Sequence, residues 1–222
     1  MLRHISATLL VLALAVGQPP ARAASVSPLG VVTQALRANL SRAAVSAGAT
    51  VYDGDSFTTA SDGLVRVRAG AAQFYLAGQS AINLHSIPGG MVAKLTLGTM
   101  VFSSARPGAM SVEVGEARIR PATDQPTVAQ ISIVGPKVID IRAQRGSLQF
   151  SYAGQIQIVS EGAAYRFVLD PPNDDLAISG LPNKKRQPPS KKPKAFLYFA
   201  IGAMSVATYI AIDEALESPS KP

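Results

Sequence analysis

Between residues 31 and 169 the apolar side chains recur at every second position more often than at helical spacing. Leu64-Val65-Arg66-Val67-Arg68, Ala72-Gln73-Phe74-Tyr75-Leu76, Ala93-Lys94-Leu95-Thr96-Leu97, Ser111-Val112-Glu113-Val114, Ala117-Arg118-Ile119-Arg120 and Leu148-Gln149-Phe150-Ser151-Tyr152 all alternate or nearly so. That period predicts short strands with one wet and one dry face. Turn signals separate them: Asp53-Gly54-Asp55, Asp62-Gly63, Ala69-Gly70, Pro88-Gly89-Gly90, Pro107-Gly108, Gly135-Pro136, Gly146 and Ala153-Gly154. Punctuation every 8 to 12 residues or so predicts an all-β sandwich or roll of about ten to twelve short strands. Residues 34–47 are the one helical candidate in this region, with Leu36, Leu40 and Ala43 on one side. They read equally as a polar excursion between a first strand at 30–33 and a second at 50–52.

Two apolar segments of different kinds bracket this region. Residues 1–23 carry Arg3 and His4, then an apolar run from Leu9 to Val16, then Ala21-Arg22-Ala23. That order is the signature of a secretory signal peptide, cleaved near Ala24. Residues 195–212 are uncharged, and at about 1.5 Å per residue a helix of them spans roughly 27 Å, close to a bilayer core. Tyr198 and Tyr209 stand near its ends, as interfacial aromatics do. A single C-terminal transmembrane helix is therefore expected at 195–212. It is preceded by a Pro- and Lys-rich linker at 170–194 and followed by a short tail at 213–222. The cationic residues Lys184, Lys185, Arg186, Lys191, Lys192 and Lys194 precede the span and Asp213, Glu214 and Glu217 follow it, so the positive-inside rule favours a cytoplasmic linker. The signal peptide favours the opposite orientation. The expectation follows the signal peptide, because long domains translocate largely regardless of charge: a single-pass inner-membrane protein with its main domain in the periplasm.

The formal charge of +7 suggests a nucleic-acid partner until it is located. Residues 24–183 hold 12 Lys plus Arg against 11 Asp plus Glu, so the excess lies in the linker and no nucleic-acid footprint is expected. A basic run beside an apolar span suits anionic lipid headgroups. The chain has no cysteine, which excludes thiolate metal sites, cysteine nucleophiles and an N-terminal lipid-modified cysteine.

The order of turns resembles the FecR domain family. The residues that carry the resemblance are Gly54-Asp55 with Thr58 and Thr59, the strand from Leu64 to Arg68, Gly70, and Phe74 to Leu76. After these come Ser80 with Ile82 and Leu84, then Leu95-Thr96-Leu97-Gly98. Ala143-Gln144-Arg145-Gly146-Ser147-Leu148-Gln149-Phe150 and Glu161-Gly162 look like the family's later strand and turn. The similarity covers about residues 48–168 and implies a FecR-like all-β domain at 24–169 with a periplasmic sensing or docking role. Two features depart from the pattern. Gly70-Ala71-Ala72 stands where the family often carries Asp-Gly-Ser. The well-known members also place a cytoplasmic helical region and one membrane helix before the sensory domain, the reverse of the order expected here. The family's step to a cytoplasmic sigma factor is therefore not carried over.

Candidate chemistry is sparse. Outside the signal peptide His85 is the only histidine, and a strand-end role outweighs a general base lacking a placed nucleophile. Asp53 and Asp55 fit turn capping better than calcium binding, and Asp170, Asp174 and Asp175 fit a solvated linker entrance. Arg66, Arg68, Arg118 and Arg120 form two alternating pairs that suit wet strand faces, an anion-binding stripe being the weaker option. Phe74, Tyr75, Phe102, Phe150, Tyr152, Tyr165 and Phe167 supply most of the aromatic mass. Most of it is expected in the core, with Tyr75 or Tyr152 a docking patch if exposed. No catalytic residue, metal or cofactor is assigned. The expected function is a membrane-tethered binding or sensing module with an envelope protein partner; a structural adaptor for peptidoglycan or another polysaccharide is the alternative.

Overall fold

The computed structural model describes residues 27–170 and 196–200. The expected signal peptide at 1–23, the expected linker beyond Asp170 and the expected tail at 213–222 lie outside them. Among the described residues the chain is all-β, with no helix. In chain order the strands are β1 (Gly30–Leu40), β2 (Ala43–Ala44), β3 (Thr50–Val51), β4 (Ser56–Ala69), β5 (Ala72–Leu76), β6 (Ala81–Ile87), β7 (Gly90–Leu97) and β8 (Thr99–Ser104). They continue as β9 (Met110–Val114), β10 (Ala117–Pro121), β11 (Thr127–Gly135), β12 (Val138–Arg145), β13 (Leu148–Tyr152), β14 (Gln155–Val159), β15 (Ala164–Leu169) and β16 (Phe196–Ala200). The alternation seen in the sequence becomes alternating burial. In β5, β9, β10 and β13 every second residue is buried, among them Phe74, Val112, Ile119 and Phe150.

Among the described residues all sixteen strands belong to one hydrogen-bonded sheet, more than the ten to twelve expected, the two-residue β2 and β3 being part of the excess. The path runs β14-β13-β10-β9-β7-β6-β4-β5-β8-β11-β12-β15-β16, with β1 lying along β4 and carrying β2 and β3. Pairing is antiparallel except between β7 and β9, which run parallel from Met91↔Met110 to Lys94↔Glu113. The sheet curls until its two ends face each other. Phe150 of β13, near one end, stacks on Phe167 of β15, near the other, with ring centroids 3.9 Å apart. The enclosed face forms a single core that includes Phe57, Phe74, Phe102, Phe150 and Phe167, all fully buried.

Two expectations are corrected. Residues 34–47 form neither a helix nor an excursion: β1 runs to Leu40 and pairs with β4 from Val31↔Arg68 to Leu40↔Phe57. Register shifts between Val32 and Gln34 and between Leu36 and Ala38 break its period of two and leave Leu36 half exposed, which imitates helical spacing. Asp62-Gly63 is not a hairpin turn but the middle of β4, where the strand passes from β6 to β5. A Cβ on Gly63 would lie 2.5 Å from the Arg37 carbonyl oxygen, so glycine serves close approach of β1 here. Arg37 and Asp62 form an ion pair at this crossing.

The span expected at 195–212 opens on a strand. Its opening residues, Phe196–Ala200, form β16, paired with β15 from Leu169↔Phe196 to Tyr165↔Ala200. Phe196 is buried edge-on to Phe150 at 5.0 Å and 5.6 Å from Phe167, and Tyr198 stands 5.4 Å from Tyr165. An aromatic-rich segment facing an unpaired strand edge and a ring cluster satisfies its backbone and buries its rings together. Residues 201–212 lie outside the described residues. Among those described, no helix is long and apolar enough to cross a membrane.

Candidate binding surfaces

Three of the residues that carry the family resemblance meet in one buried knot. The Thr59 hydroxyl donates to the Ala77 carbonyl at 2.6 Å and accepts the Ser80 N–H at 3.0 Å. Ser80 Oγ accepts the Thr99 N–H at 2.9 Å, and the Thr99 hydroxyl lies 2.9 Å from Ser132 Oγ. Gly98 turns the chain from β7 into β8 at φ +81°, with the space for its missing Cβ filled by Ser80 Oγ and the Gln79 carbonyl. The knot ties β4, β8 and β11 together, and its groups are saturated by one another. Its chemistry is structural.

The acidic candidates are likewise engaged in local backbone bonding. Asp55 accepts the Tyr52 N–H at 2.8 Å and the Ser41 hydroxyl at 2.9 Å, bridging the turn before β4 to the end of β1. Asp53 accepts the Ser86 N–H at 2.7 Å, with His85 Nδ1 3.9 Å away and both side chains more than half exposed. Among the described residues no three His, Asp or Glu side chains converge as a metal site. Asp174 and Asp175 lie outside the described residues.

Asp170 closes β15. Its carboxylate accepts the Tyr152 hydroxyl at 2.8 Å and Lys137 Nζ at 3.2 Å. The Tyr152 hydrogen bond and then Lys137 hold the Asp170 carboxyl below its usual range, and the same bond raises the Tyr152 phenol. A depressed carboxylate stabilises the fold above its unfolded pKa, and that contribution is lost as pH falls through the folded value. Urea midpoints of wild type and Asp170→Asn should therefore differ most at neutral pH and converge below about pH 4, the ordinary carboxylate range. A gap that persists unchanged at pH 2 would show that Asp170 acts through packing alone.

Sequence reasoning missed Asp140, a buried carboxylate between Ile139 and Ile141 on β12. Arg166 of β15 donates to it through two nitrogens, each at 2.7 Å, and that bidentate contact raises the guanidinium pKa further. A carboxylate set directly between Ile139 and Ile141 was the available signal.

Two of the surface clefts bear on binding. One, of about 600 Å³, lies over β10 and β13 and is lined by Glu113, Arg118, Arg120, Gln149, Ser151 and Ile156 among others. Arg118 is held by Glu113 at 2.6 Å and Arg120 by Gln149 at 3.1 Å. Tyr152 borders this cleft but is buried, and the partly exposed Tyr75 lies on β5, on the opposite sheet face from buried Phe74. Arg66 pairs in register with Tyr75, away from Arg118 and Arg120, so the four arginines form no single stripe.

The second cleft, of about 690 Å³, is the seam between the two free ends of the sheet, lined by Gln155, Ile156 and Gln157 of β14 and Phe196, Leu197 and Tyr198 of β16. Ile156 is 63% exposed, Ile158 44% and Phe199 57%. Among the described residues β14 pairs only with β13, and Gln155-Ile156-Gln157-Ile158-Val159 carries no charge and no proline, the features that usually protect an edge. Alternation hid this surface in the sequence, because here the isoleucines face outward.

The chain matches no family model, and no curated protein matches it. The likeness to the FecR domain family thus stands on its motif residues alone.

Proposed function

We propose that the chain is a non-enzymatic, membrane-tethered binding or sensing module whose FecR-like β-domain works in the periplasm and docks an envelope protein by strand addition. The observation that carries this reading is the uncharged free edge of β14, with Ile156 and Ile158 exposed beside the apolar seam. An extended segment laid antiparallel to β14 satisfies that edge's backbone and covers both isoleucines. The signal-like N-terminus and the uncharged stretch at 195–212 support export and tethering.

In spheroplasts of cells producing the full chain, external protease should digest a tag placed after Ala24 and spare one at Pro222. A photo-crosslinker at Gln157 should then yield an adduct with an envelope protein. In the Ile156→Lys, Ile158→Lys variant that adduct should fall by about tenfold, with unfolding free energy changed by no more than about 0.5 kcal/mol, as at surface sites generally. Undiminished adduct in the double variant would remove strand addition at β14.

The alternative, an adaptor for peptidoglycan or another polysaccharide, is favoured by the polar cleft over β10 and β13, whose Glu113, Arg118, Arg120 and Gln149 match hydroxyl and carboxylate groups. With Tyr152 buried, that cleft offers no exposed aromatic ring for sugar stacking. Retention on purified peptidoglycan that is lost in Arg118→Ala, Arg120→Ala and kept in the β14 variant would select this reading.

A further inference from the structure

The same five residues are called on twice. Phe196–Ala200 is the terminal strand of the sheet, and it also opens the uncharged stretch at 195–212. Without it, residues 201–212 give a helix of about 18 Å, well short of a hydrocarbon core of roughly 30 Å. Lys191, Lys192 and Lys194 precede the stretch and Asp213 and Glu214 follow it, so no apolar residues at either end make up the difference.

We propose that strand pairing of Phe196–Ala200 and membrane insertion of residues 195–212 exclude each other, so that insertion strips β16 from the sheet and opens the β15 edge as a strand-acceptor site. This rests on the membrane tether proposed above. The edge thereby uncovered is specific. Among the described residues β16 is hydrogen-bonded as a strand to β15 alone, through five residue pairs. Phe196 packs against Phe150 and Phe167, both fully buried while it is there. Its departure leaves the outward backbone groups of Tyr165–Leu169 unpaired beside those two rings. The segment that fits in its place is extended and uncharged, with an aromatic residue opposite Leu169 and a second two positions on, the pattern Phe196 and Tyr198 present. In the soluble chain the tethered copy outcompetes a free peptide, because a linked segment acts at an effective concentration of order mM. The device therefore couples the state of the C-terminal stretch to availability of the edge.

The chain has no native cysteine, so a Val168→Cys, Leu197→Cys pair reports on docking without background. These residues are directly opposed across β15 and β16, at a separation a disulfide tolerates. The full chain is divided into soluble and alkali-resistant membrane fractions and then oxidised. Soluble chains should crosslink internally, and embedded chains should do so at least about tenfold less. Chains oxidised before mixing with phosphatidylcholine–phosphatidylglycerol vesicles should fail to become alkali-resistant until reduced.

In a second arm, a biotinylated peptide of residues 195–200 with cysteine in place of Leu197 is offered to the single Val168→Cys chain. Embedded chains should capture it at least about tenfold more than soluble ones. Equal internal crosslinking in the two fractions, or equal capture of the peptide, overturns this inference and leaves the tether standing. If neither the wild-type nor the reduced chain ever becomes alkali-resistant, the tether itself fails, and this inference with it.

Discussion

Replacing Phe150 by alanine should destabilise the domain by about 3–5 kcal/mol, the range found for large aromatic truncations in packed cores. The ring is fully buried, stacked on Phe167 at 3.9 Å and met edge-on by Phe196 at 5.0 Å. With the Tyr152–Asp170 hydrogen bond, it is one of the contacts through which β13 at one end of the sheet holds β15 and β16 at the other, so its loss should act unevenly. Denaturant titration should show the fall in global stability. Native-state hydrogen exchange should show amides of Phe196–Ala200 losing protection well before those of β4 and β5, whose rings Phe57 and Phe74 pack against each other at 6.2 Å. A uniform loss across all strands would mean that Phe150 contributes only bulk to a single cooperative core, and that the two sheet ends are joined by some other contact.

Gly98→Val should be comparably damaging, lowering stability by roughly 2–5 kcal/mol through two separate terms. A side chain at φ +81° incurs about 1–2 kcal/mol of left-handed strain. The new Cβ also falls on Ser80 Oγ and within 2.5 Å of the Gln79 carbonyl oxygen. Moving Ser80 strands the partly buried Thr99 N–H that it accepts at 2.9 Å, and an unsatisfied donor away from water costs about 1–3 kcal/mol more. Since natural domains have only about 5–15 kcal/mol in hand, little soluble folded protein is expected at 37 °C. Gly98→Ala should be milder, and Gly115→Ala, at a turn where nothing lies near the added Cβ, milder still. Melting temperatures from circular dichroism rank the three variants. Gly98→Val melting close to wild type would dissolve the argument that the knot around Ser80 is tight.

The candidate surfaces were less legible in the sequence than the core was. Ile156 and Ile158 alternate as buried residues do, and only the register of the sheet, which turns Val159 inward, places them outside. Asp140 is a lone carboxylate among isoleucines until Arg166, 26 residues on, closes on it. Thr59, Ser80 and Gly98 stand far apart in the chain, and their individual chemistry is ordinary. Their meaning lies in meeting, which requires β4, β7 and β8 already assembled.

Local sequence alone determined the all-β class, most strand positions and most hairpins. Each follows from a period of two or from a residue that tolerates a left-handed backbone, as at Gly70, Gly89 and the Ala153-Gly154 pair, and these are properties of neighbouring residues. The tertiary structure decided what depends on distant partners. It made Asp62-Gly63 a crossing instead of a turn, because the backbone of Arg37 passes there. It set β7 parallel to β9 and curled the sheet until Phe150 met Phe167. It drew Phe196–Ala200 out of an apolar run that reads by hydropathy as the start of a helix. Hydropathy measures only the preference for leaving water, and an aromatic strand edge meets that preference as well as a bilayer does.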